Sequence, residues 1–288
     1  MAIAGAGRVG TALGRLLSDS GIPVTAVWSR NEARARKAAA FISSSTRAAS
    51  LGELPRHAAL VLIAVPDDAV GSVAQQLAEN CGRLETALHT SGVLDGRVLE
   101  PLAEKGAACG SIHPLQTVPS PERGVELLPG SLFAVEGADA AVALAERMVR
   151  LLNGKVLRLP SESKPLYHAA ASLAGNGVIA LVSAAERILA RCGISGAEAR
   201  SLLQPLMEAS LRNALSLGPA AALTGPVARG DRGTVAKHWA ALAGCTDDVR
   251  GLYRAVAVAL LSVAEGPTGE SKAENWVGDL LRNSGRQP

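Results

Sequence analysis

Short, continuous apolar runs alternate with alanine-rich stretches of helical spacing over residues 1–160. Such runs are typical of strands covered on both faces, and their alternation with helices predicts a parallel sheet built from βα units. The predicted strands are Met1–Ala4, Pro23–Trp28, Leu60–Val65, Thr86–Thr90, Ala107–Ile112, Leu132–Val135 and Val156–Leu159. We therefore expect a doubly wound α/β domain in this half of the chain.

The pattern changes after Pro160, where the strand-like runs stop and only helical spacing continues. The predicted helices are Ser163–Cys192, Ala197–Leu217, Thr234–Leu242, Asp247–Glu265 and Lys272–Arg282. We expect an all-helical second domain over residues 161–288. Its apolar helices exceed what one layer can bury, which predicts a homodimer.

Composition narrows the function classes. The 288 residues are 48% hydrophobic and 2% aromatic, with a net charge of +3, which argues against disorder and against nucleic-acid binding. The four cysteines lie far apart, so we expect neither a disulfide framework nor a metal site. An apolar run such as Ala255–Ala264 is well short of the roughly 18 residues that suggest a membrane span. We expect a cytoplasmic protein that binds a small ligand and no membrane.

A glycine-rich turn follows the first predicted strand. Gly5-Ala6-Gly7-Arg8-Val9-Gly10 fits the pattern GxGxxG and opens an amphipathic helix. In a dinucleotide site, Gly5 permits the tight turn, Gly7 lets a pyrophosphate approach the backbone and Gly10 permits close helix packing. Arg8 and Val9 begin the helix, whose N-terminus attracts anions. The alternative is a purely structural turn.

The second strand ends without the acidic residue that binds the ribose of NAD. Its end reads Trp28-Ser29-Arg30-Asn31, and Arg34 follows one helical turn later. Ser29 and Arg30 can bind a 2′-phosphate, which a carboxylate would repel. This pattern predicts NADP(H), the alternative being that the arginines are solvated surface charges.

Later strand ends contribute further candidates. Val65 and Pro66 are expected beside the cofactor, followed by a helix that Asp67 or Asp68 caps. Ser91 and Gly92 follow the next strand, and we expect them near the nicotinamide.

Two histidines follow strands in this half of the chain. We interpret His89 as an interior residue. His113 follows the strand after it, and its ordinary pKa near 6.5 suits a catalytic acid, the alternative being a bond to the following turn.

The helical half offers a polar stripe and a loop. His168, Ser172 and Asn176 recur at intervals of four residues and share one face of the long helix. They indicate either a wall of the substrate cleft, with His168 as proton donor, or a buried polar network. Thr224 and Arg229 lie on a glycine-proline loop, where Arg229 either binds a substrate carboxylate or forms a surface ion pair.

These motifs resemble those of NADP-dependent Rossmann-like reductases related to pyrroline-5-carboxylate reductase and the deazaflavin-dependent NADP oxidoreductases. Within them, the chain is most similar to a group with a helical C-terminal domain of unassigned function. The most specific matching motifs are His113–Thr117, Tyr167–Ala171 and Thr224–Asp231.

The resemblance implies a Rossmann-like fold, NADP(H) and hydride transfer. It places Asn176 near a serine of the reductase motif that borders the substrate, and His113-Pro114 resembles the turn of the catalytic histidine in prephenate dehydrogenase. The β-hydroxyacid dehydrogenases carry a catalytic lysine on the same helix. Here His168–Ala170 stands near that position and Lys164 lies one turn earlier, which argues against that chemistry.

Together these observations predict an NADPH-dependent reductase of a C=N or C=O bond in a small metabolite. His113, His168 and Asn176 are the candidate catalytic residues. Two alternatives stay open, a sensor that binds NADP without turnover and an enzyme that exchanges a hydride with a deazaflavin.

Overall fold

The computed structural model describes residues 1–56, 58–80, 82, 84–265 and 276–283. They form two compact units, Met1–Gly175 and Asn176–Pro288. The division lies within a long helix, whereas the change in sequence pattern places a boundary after residue 160.

The first unit contains one eight-stranded sheet with the order β3-β2-β1-β4-β5-β6-β7-β8. The strands are β1 (Ala2–Ala4), β2 (Ala26–Trp28), β3 (Arg47–Ala48), β4 (Leu60–Ile63), β5 (Thr86–His89), β6 (Ala108–Pro114), β7 (Leu132–Gly137) and β8 (Lys155–Arg158). The predicted α/β fold is confirmed. The pattern did not predict β3, which is two residues long and lacks a hydrophobic run.

Neighbouring strands are parallel except β6 and β7, which are antiparallel. The prediction of a parallel sheet is therefore wrong for the pair β6 and β7. The segment between them contains α5 (Pro121–Leu127), which packs on α1 (Arg8–Asp19). The strand β7 therefore begins at the edge of the sheet where β6 ends and runs in the opposite direction. The strand β6 also continues through His113, which lies opposite Ala134 of β7.

Helices cover both faces of the sheet. Besides α1 and α5, the first unit contains α2 (Glu32–Ile42), α3 (Asp67–Ala78), α4 (Glu100–Ala103) and α6 (Asp139–Leu151). Successive strand residues face opposite sides, so Ile3 and Leu62 join one apolar cluster while Ala2 and Val61 join the other. Burial on both faces explains why the strands are continuously apolar.

The predicted helices of the second half are present. They are α7 (Lys164–Ala190), which begins in the first unit and ends in the second, α8 (Gly196–Leu217), α9 (Pro219–Ala222), α10 (Arg232–Ala241), α11 (Asp247–Glu265) and α12 (Trp276–Asn283). Residues 272–275 of the last predicted helix lie outside the described residues. Val235, Trp239, Leu261 and Val277 belong to the apolar core of the second unit.

One described stretch, Ser161–Ala190, is long and apolar enough to cross a membrane by length and composition alone. Runs of strictly apolar residues do not reveal it, because Ser172, Asn176 and Ser183 interrupt the sequence. None of its most apolar window is buried in the chain.

Candidate functional site

The glycine-rich turn joins β1 to α1 and packs against the end of β4. Gly5 has φ +126°, and a Cβ there would lie 2.3 Å from the Ala64 carbonyl oxygen. A Cβ on Gly10 would lie 2.5 Å from the Gly5 carbonyl oxygen. Only glycine fits at these two positions, because backbone atoms occupy the space of a side chain.

Gly7 is different, because a Cβ there would meet only the Ala64 carbonyl oxygen, at 3.8 Å. Gly7 is the N-cap of α1, and no side chain caps this helix. The N–H groups of the first turn, which includes Arg8 and Val9, are therefore not used by a side-chain cap. The positive end of the helix dipole favours an anion at this place. The turn has the room and the donors that a pyrophosphate requires.

The end of β2 carries a hydroxyl and a guanidinium group and no carboxylate. The Ser29 hydroxyl accepts the Asn31 N–H at 3.3 Å, and the Asn31 side chain caps α2. Arg30 is exposed, and none of the ion pairs found among the described residues includes it. By contrast, Arg36 on α2 is paired with Glu32. The guanidinium of Arg30 is thus available to an anion from outside the chain.

The end of β4 leads directly into α3. The N-cap of this helix is Pro66, and no side-chain cap is made. The prediction that Asp67 or Asp68 caps α3 is therefore wrong, since both lie in its first turn, where their charge favours the helix dipole. Val65 is half-buried and Pro66 exposed, at the edge where open α/β sheets bind ligands.

Two imidazoles pack over Gly92, shortly after the end of β5. The ring centroids of His113 on β6 and His168 on α7 are 5.7 Å apart, and we call these two residues the imidazole pair. A Cβ on Gly92 would lie 2.4 Å from His168 Cδ2 and 2.8 Å from His113 Nε2. In this structure the side chains of the imidazole pair therefore occupy the space next to Gly92, where we expect the nicotinamide.

Tyr167 belongs to the same cluster. Its hydroxyl lies 3.1 Å from His113 Nδ1, and the two rings meet edge to face with centroids 5.6 Å apart. Sequence reasoning quoted Tyr167 only within a motif and did not assign it to the site. The rarity of tyrosine was the signal that could have pointed to Tyr167, because the chain has 2 tyrosines and this one directly precedes His168.

The surroundings change the acid–base properties of this cluster. Burial, followed by the nearby His168 and Lys164, lowers the pKa of His113 to about 4. The ring is therefore neutral at neutral pH, and the ordinary value on which its role as an acid was predicted does not apply. Burial raises the pKa of Tyr167 to about 12, so the hydroxyl keeps its proton.

His89 is an interior residue, as predicted, with 0% of its surface exposed. Its Nδ1 accepts the Ser91 N–H at 3.2 Å, so Nε2 carries the proton and donates to the Asp95 carbonyl at 3.1 Å. The Ser91 hydroxyl accepts the N–H groups of Val93 and Leu94 at 3.2 and 3.0 Å. The nicotinamide contact of Ser91 stays a prediction.

The remaining candidates are divided between the two units. Ser172 is half-buried in the first unit, and Asn176 is the first residue of the second. Thr224 and Arg229 are exposed in the second unit. The roles of these four residues stay predictions.

Two parts of the chain match known domain families. Residues 1–114 match the Rossmann-like domain. Residues 131–260 match a domain of unknown function, DUF2520. The resemblance to Rossmann-like proteins with a helical C-terminal domain of unassigned function is thus confirmed. No curated protein matches the sequence.

Three solved structures are similar to this one over nearly the whole chain. A proposed NADP oxidoreductase from Bacteroides fragilis is 24% identical, with a TM-score of 0.77 over 90% of this chain and 96% of its own. A protein from Thermotoga maritima is 27% identical, with a TM-score of 0.69 over 92% and 98%. The reductive aminase from Aspergillus terreus, in complex with NADPH and ethyl levulinate, is 20% identical, with a TM-score of 0.66 over 98% and 97%.

Proposed function

We propose that this protein is an NADPH-dependent oxidoreductase that transfers a hydride to a C=N or C=O bond of a small metabolite. The open turn at Gly7, before a helix without a side-chain cap, carries the proposal because it fits a dinucleotide pyrophosphate. Two structural relatives support it, one a proposed NADP oxidoreductase and the other a reductive aminase in complex with NADPH.

The cofactor would be held at the carboxyl edge of the sheet. Bound NADPH supplies a hydride to the acceptor carbon. The pyrophosphate would lie on Gly5, Gly7, Arg8, Val9 and Gly10, the 2′-phosphate on Ser29 and Arg30, and the nicotinamide near Val65, Pro66, Ser91 and Gly92. Arg30 favours NADPH over NADH because no carboxylate accompanies it.

We assign proton delivery to Tyr167, with His113 as its relay. The phenol proton moves to the acceptor nitrogen or oxygen as the double bond is reduced. As the phenolate forms, His113 Nδ1–H gives its proton to it while Nε2 takes a proton from a water molecule, which leaves hydroxide to the solvent and keeps the ring neutral. The hydrogen bond between the two residues and the neutral state of His113 suit this sequence.

The remaining candidate residues are proposed to bind or orient the substrate. His168 packs against His113 and would orient it, while Ser172 and Asn176 would bind polar substrate groups. Thr224 and Arg229 are the proposed contacts for a substrate carboxylate, which the fork of a guanidinium binds well.

Absorbance of NADPH tests the activity directly. We expect oxidation of NADPH with at least one member of a panel containing 1-pyrroline, 1-pyrroline carboxylates and 2-oxo acids, each with and without an amine. Tight NADPH binding without turnover of any member would contradict the reductase and favour the sensor. Turnover of a reduced or oxidised deazaflavin alone would favour the second alternative.

The exposed surface of α8 supports a homodimer. Ala199 is the one residue of this 22-residue helix that is buried, while Leu206 and Leu215 are 66% and 80% exposed. An isolated helix is marginally stable in water, so α8 needs a partner. Its charged residues, which include Glu208 and Arg212, suit a second copy of the chain better than a lipid core.

Light scattering tests this assembly. The wild-type protein should have the mass of a dimer, and Leu206→Asp with Leu215→Asp should have that of a monomer. A monomeric wild-type protein would contradict the dimer, and sedimentation with membranes would favour a lipid partner.

The free thiols of Cys109, Cys192 and Cys245 support our further proposal of a cytoplasmic location.

A further inference from the structure

A lysine lies buried beside the imidazole pair. Lys164 is the first residue of α7, and 1% of its surface is exposed. Lysine is rarely buried so fully, because removing an ammonium group from water costs free energy unless other groups replace the hydration. The hydrogen bonds of Lys164 therefore indicate what this side chain does.

The ammonium group of Lys164 joins two strands. Its Nζ donates to the Ser91 carbonyl, beyond the end of β5, at 3.1 Å, and to the Ser111 hydroxyl of β6 at 2.7 Å. Within the described parts of the chain, no carboxylate oxygen lies within the 4.0 Å of a direct ion pair with Lys164. Ser111 instead links the ammonium to a carboxylate, since its hydroxyl donates to Glu136 at 3.2 Å.

The carboxylate of Glu136 completes this network. It accepts the Gly96 N–H at 3.0 Å and the Ser161 hydroxyl at 2.7 Å, in addition to the Ser111 hydroxyl. Ser161 lies in the turn just before α7, so the network connects the start of this helix with β6 and β7. Each polar group has partners, as a buried network requires.

Lys164 also determines where the next backbone segment lies. The N–H of Ser91 is bound to His89 and its carbonyl to Lys164, so both sides of this residue are held. The following residue is Gly92, on whose Cα the imidazole pair packs. We propose that Lys164 is a positioning residue for the imidazole pair, because it holds the Ser91 carbonyl and thereby the Gly92 backbone.

Lys164 also acts on the nearby histidines through its charge. The positive charge of Lys164 contributes to the lowered pKa values of His89 and His113. Burial lowers the pKa of Lys164, and the opposite charges of Glu136, Asp95 and Asp67 act against this shift. His168 lowers the pKa of His113, whereas Asp67 raises it. Among the charged groups that act on the imidazole pair, Lys164 is the buried cation.

The inference rests on the site of the proposed function, but its test needs neither substrate nor cofactor. Failure of the reductase proposal and failure of this inference can therefore be distinguished. The experiment measures the full-length protein by NMR, through the titration of histidine Cε1–H signals and the hydrogen exchange of the Ser91 amide, which donates to His89 Nδ1. His113→Asn identifies the His113 signal.

In Lys164→Met, we expect the titration midpoint of His113 to rise by about one pH unit, because a nearby positive charge is removed. We also expect the Ser91 amide to exchange about tenfold faster, because its residue loses the bond from Lys164. Lys155→Met removes an exposed lysine of β8 and should change neither signal. A folded Lys164→Met with an unchanged midpoint and unchanged exchange would overturn the proposal.

Ser111→Ala provides a second variant that keeps the buried charge. It removes one of the two acceptors of Lys164, so the Ser91 amide should exchange faster while the His113 midpoint does not rise. If Lys164→Met fails to fold, Ser111→Ala is the deciding variant, and unchanged exchange of the Ser91 amide would then contradict the positioning role.

Discussion

The Tyr167 hydroxyl and His113 Nδ1 are 3.1 Å apart in the first unit, and the second unit repeats this pairing between Tyr253 and His238 at 3.0 Å. The two pairs differ in their surroundings. His113 is neutral because burial, followed by the nearby His168 and Lys164, lowers its pKa to about 4, whereas His238 is exposed. The second pair therefore serves as a matched control for the chemistry assigned to the first.

Replacing Tyr167 tests the proton donor. Tyr167→Phe should lower kcat by about 10² to 10⁴ with the best imine or ketone of the panel, because a general acid contributes about this factor. The Kd of NADPH, measured by calorimetry, should not change. Tyr253→Phe loses the same kind of hydrogen bond and should keep full turnover. Full turnover in Tyr167→Phe would assign the proton to His168 or water.

The cofactor preference depends on Arg30. The wild-type protein should bind NADPH at least about tenfold more tightly than NADH, because a hydrogen bond to a charged group contributes about 1.5 to 3 kcal/mol. Arg30→Ala should lose most of this preference and leave NADH binding nearly unchanged. Arg36→Ala is the control, because Arg36 is already paired with Glu32. Equal affinities for the two cofactors in the wild-type protein would contradict the assignment.

Two glycines of the turn, Gly7 and Gly10, should respond differently to substitution. Gly7→Val should fold normally and lose NADPH binding, because its side chain enters the open space before α1. Gly10→Ala should lower the free energy of unfolding by about 1 to 3 kcal/mol, since its Cβ meets the Gly5 carbonyl oxygen at 2.5 Å. Thermal melting and calorimetry separate the two effects. Retained NADPH binding in Gly7→Val would show that the turn is structural.

The buried histidines predict how stability depends on pH. Burial is the main cause that lowers the pKa values of His89 and His113 from 6.5 to about 4. Between these values the unfolded chain binds more protons than the folded one, so stability is full above pH 6.5 and falls towards pH 4. The loss is on the order of 3 kcal/mol for each ring, because one pKa unit corresponds to about 1.4 kcal/mol.

Urea unfolding at several pH values measures this loss. His89→Gln should flatten the decline between pH 6.5 and 4, because one of the two rings no longer takes up a proton on unfolding. His238→Gln is the control, since His238 is exposed, and should leave the slope unchanged. An identical slope in wild-type and His89→Gln proteins would contradict the buried neutral state of His89.

The sequence by itself determined the features that depend on local spacing. Continuous apolar runs predict strands buried on both faces, and the glycine pattern between a strand and a helix predicts the open position at Gly7. The interior place of His89 and the long helix α7 could also be read from the sequence. These features require only residues that are neighbours along the chain, so periodicity is sufficient to find them.

Only the tertiary structure decided which polar groups meet. Tyr167 and His113 are 54 residues apart in sequence, and Lys164 and Ser111 are 53 apart. No local pattern reports such contacts, and a pKa depends on burial and on charges that folding brings together. Folding makes His113 a buried, neutral partner of Tyr167 and brings Lys164 into contact with Ser91 and Ser111. The sequence pattern could not show these contacts, because each of them joins segments that are distant along the chain.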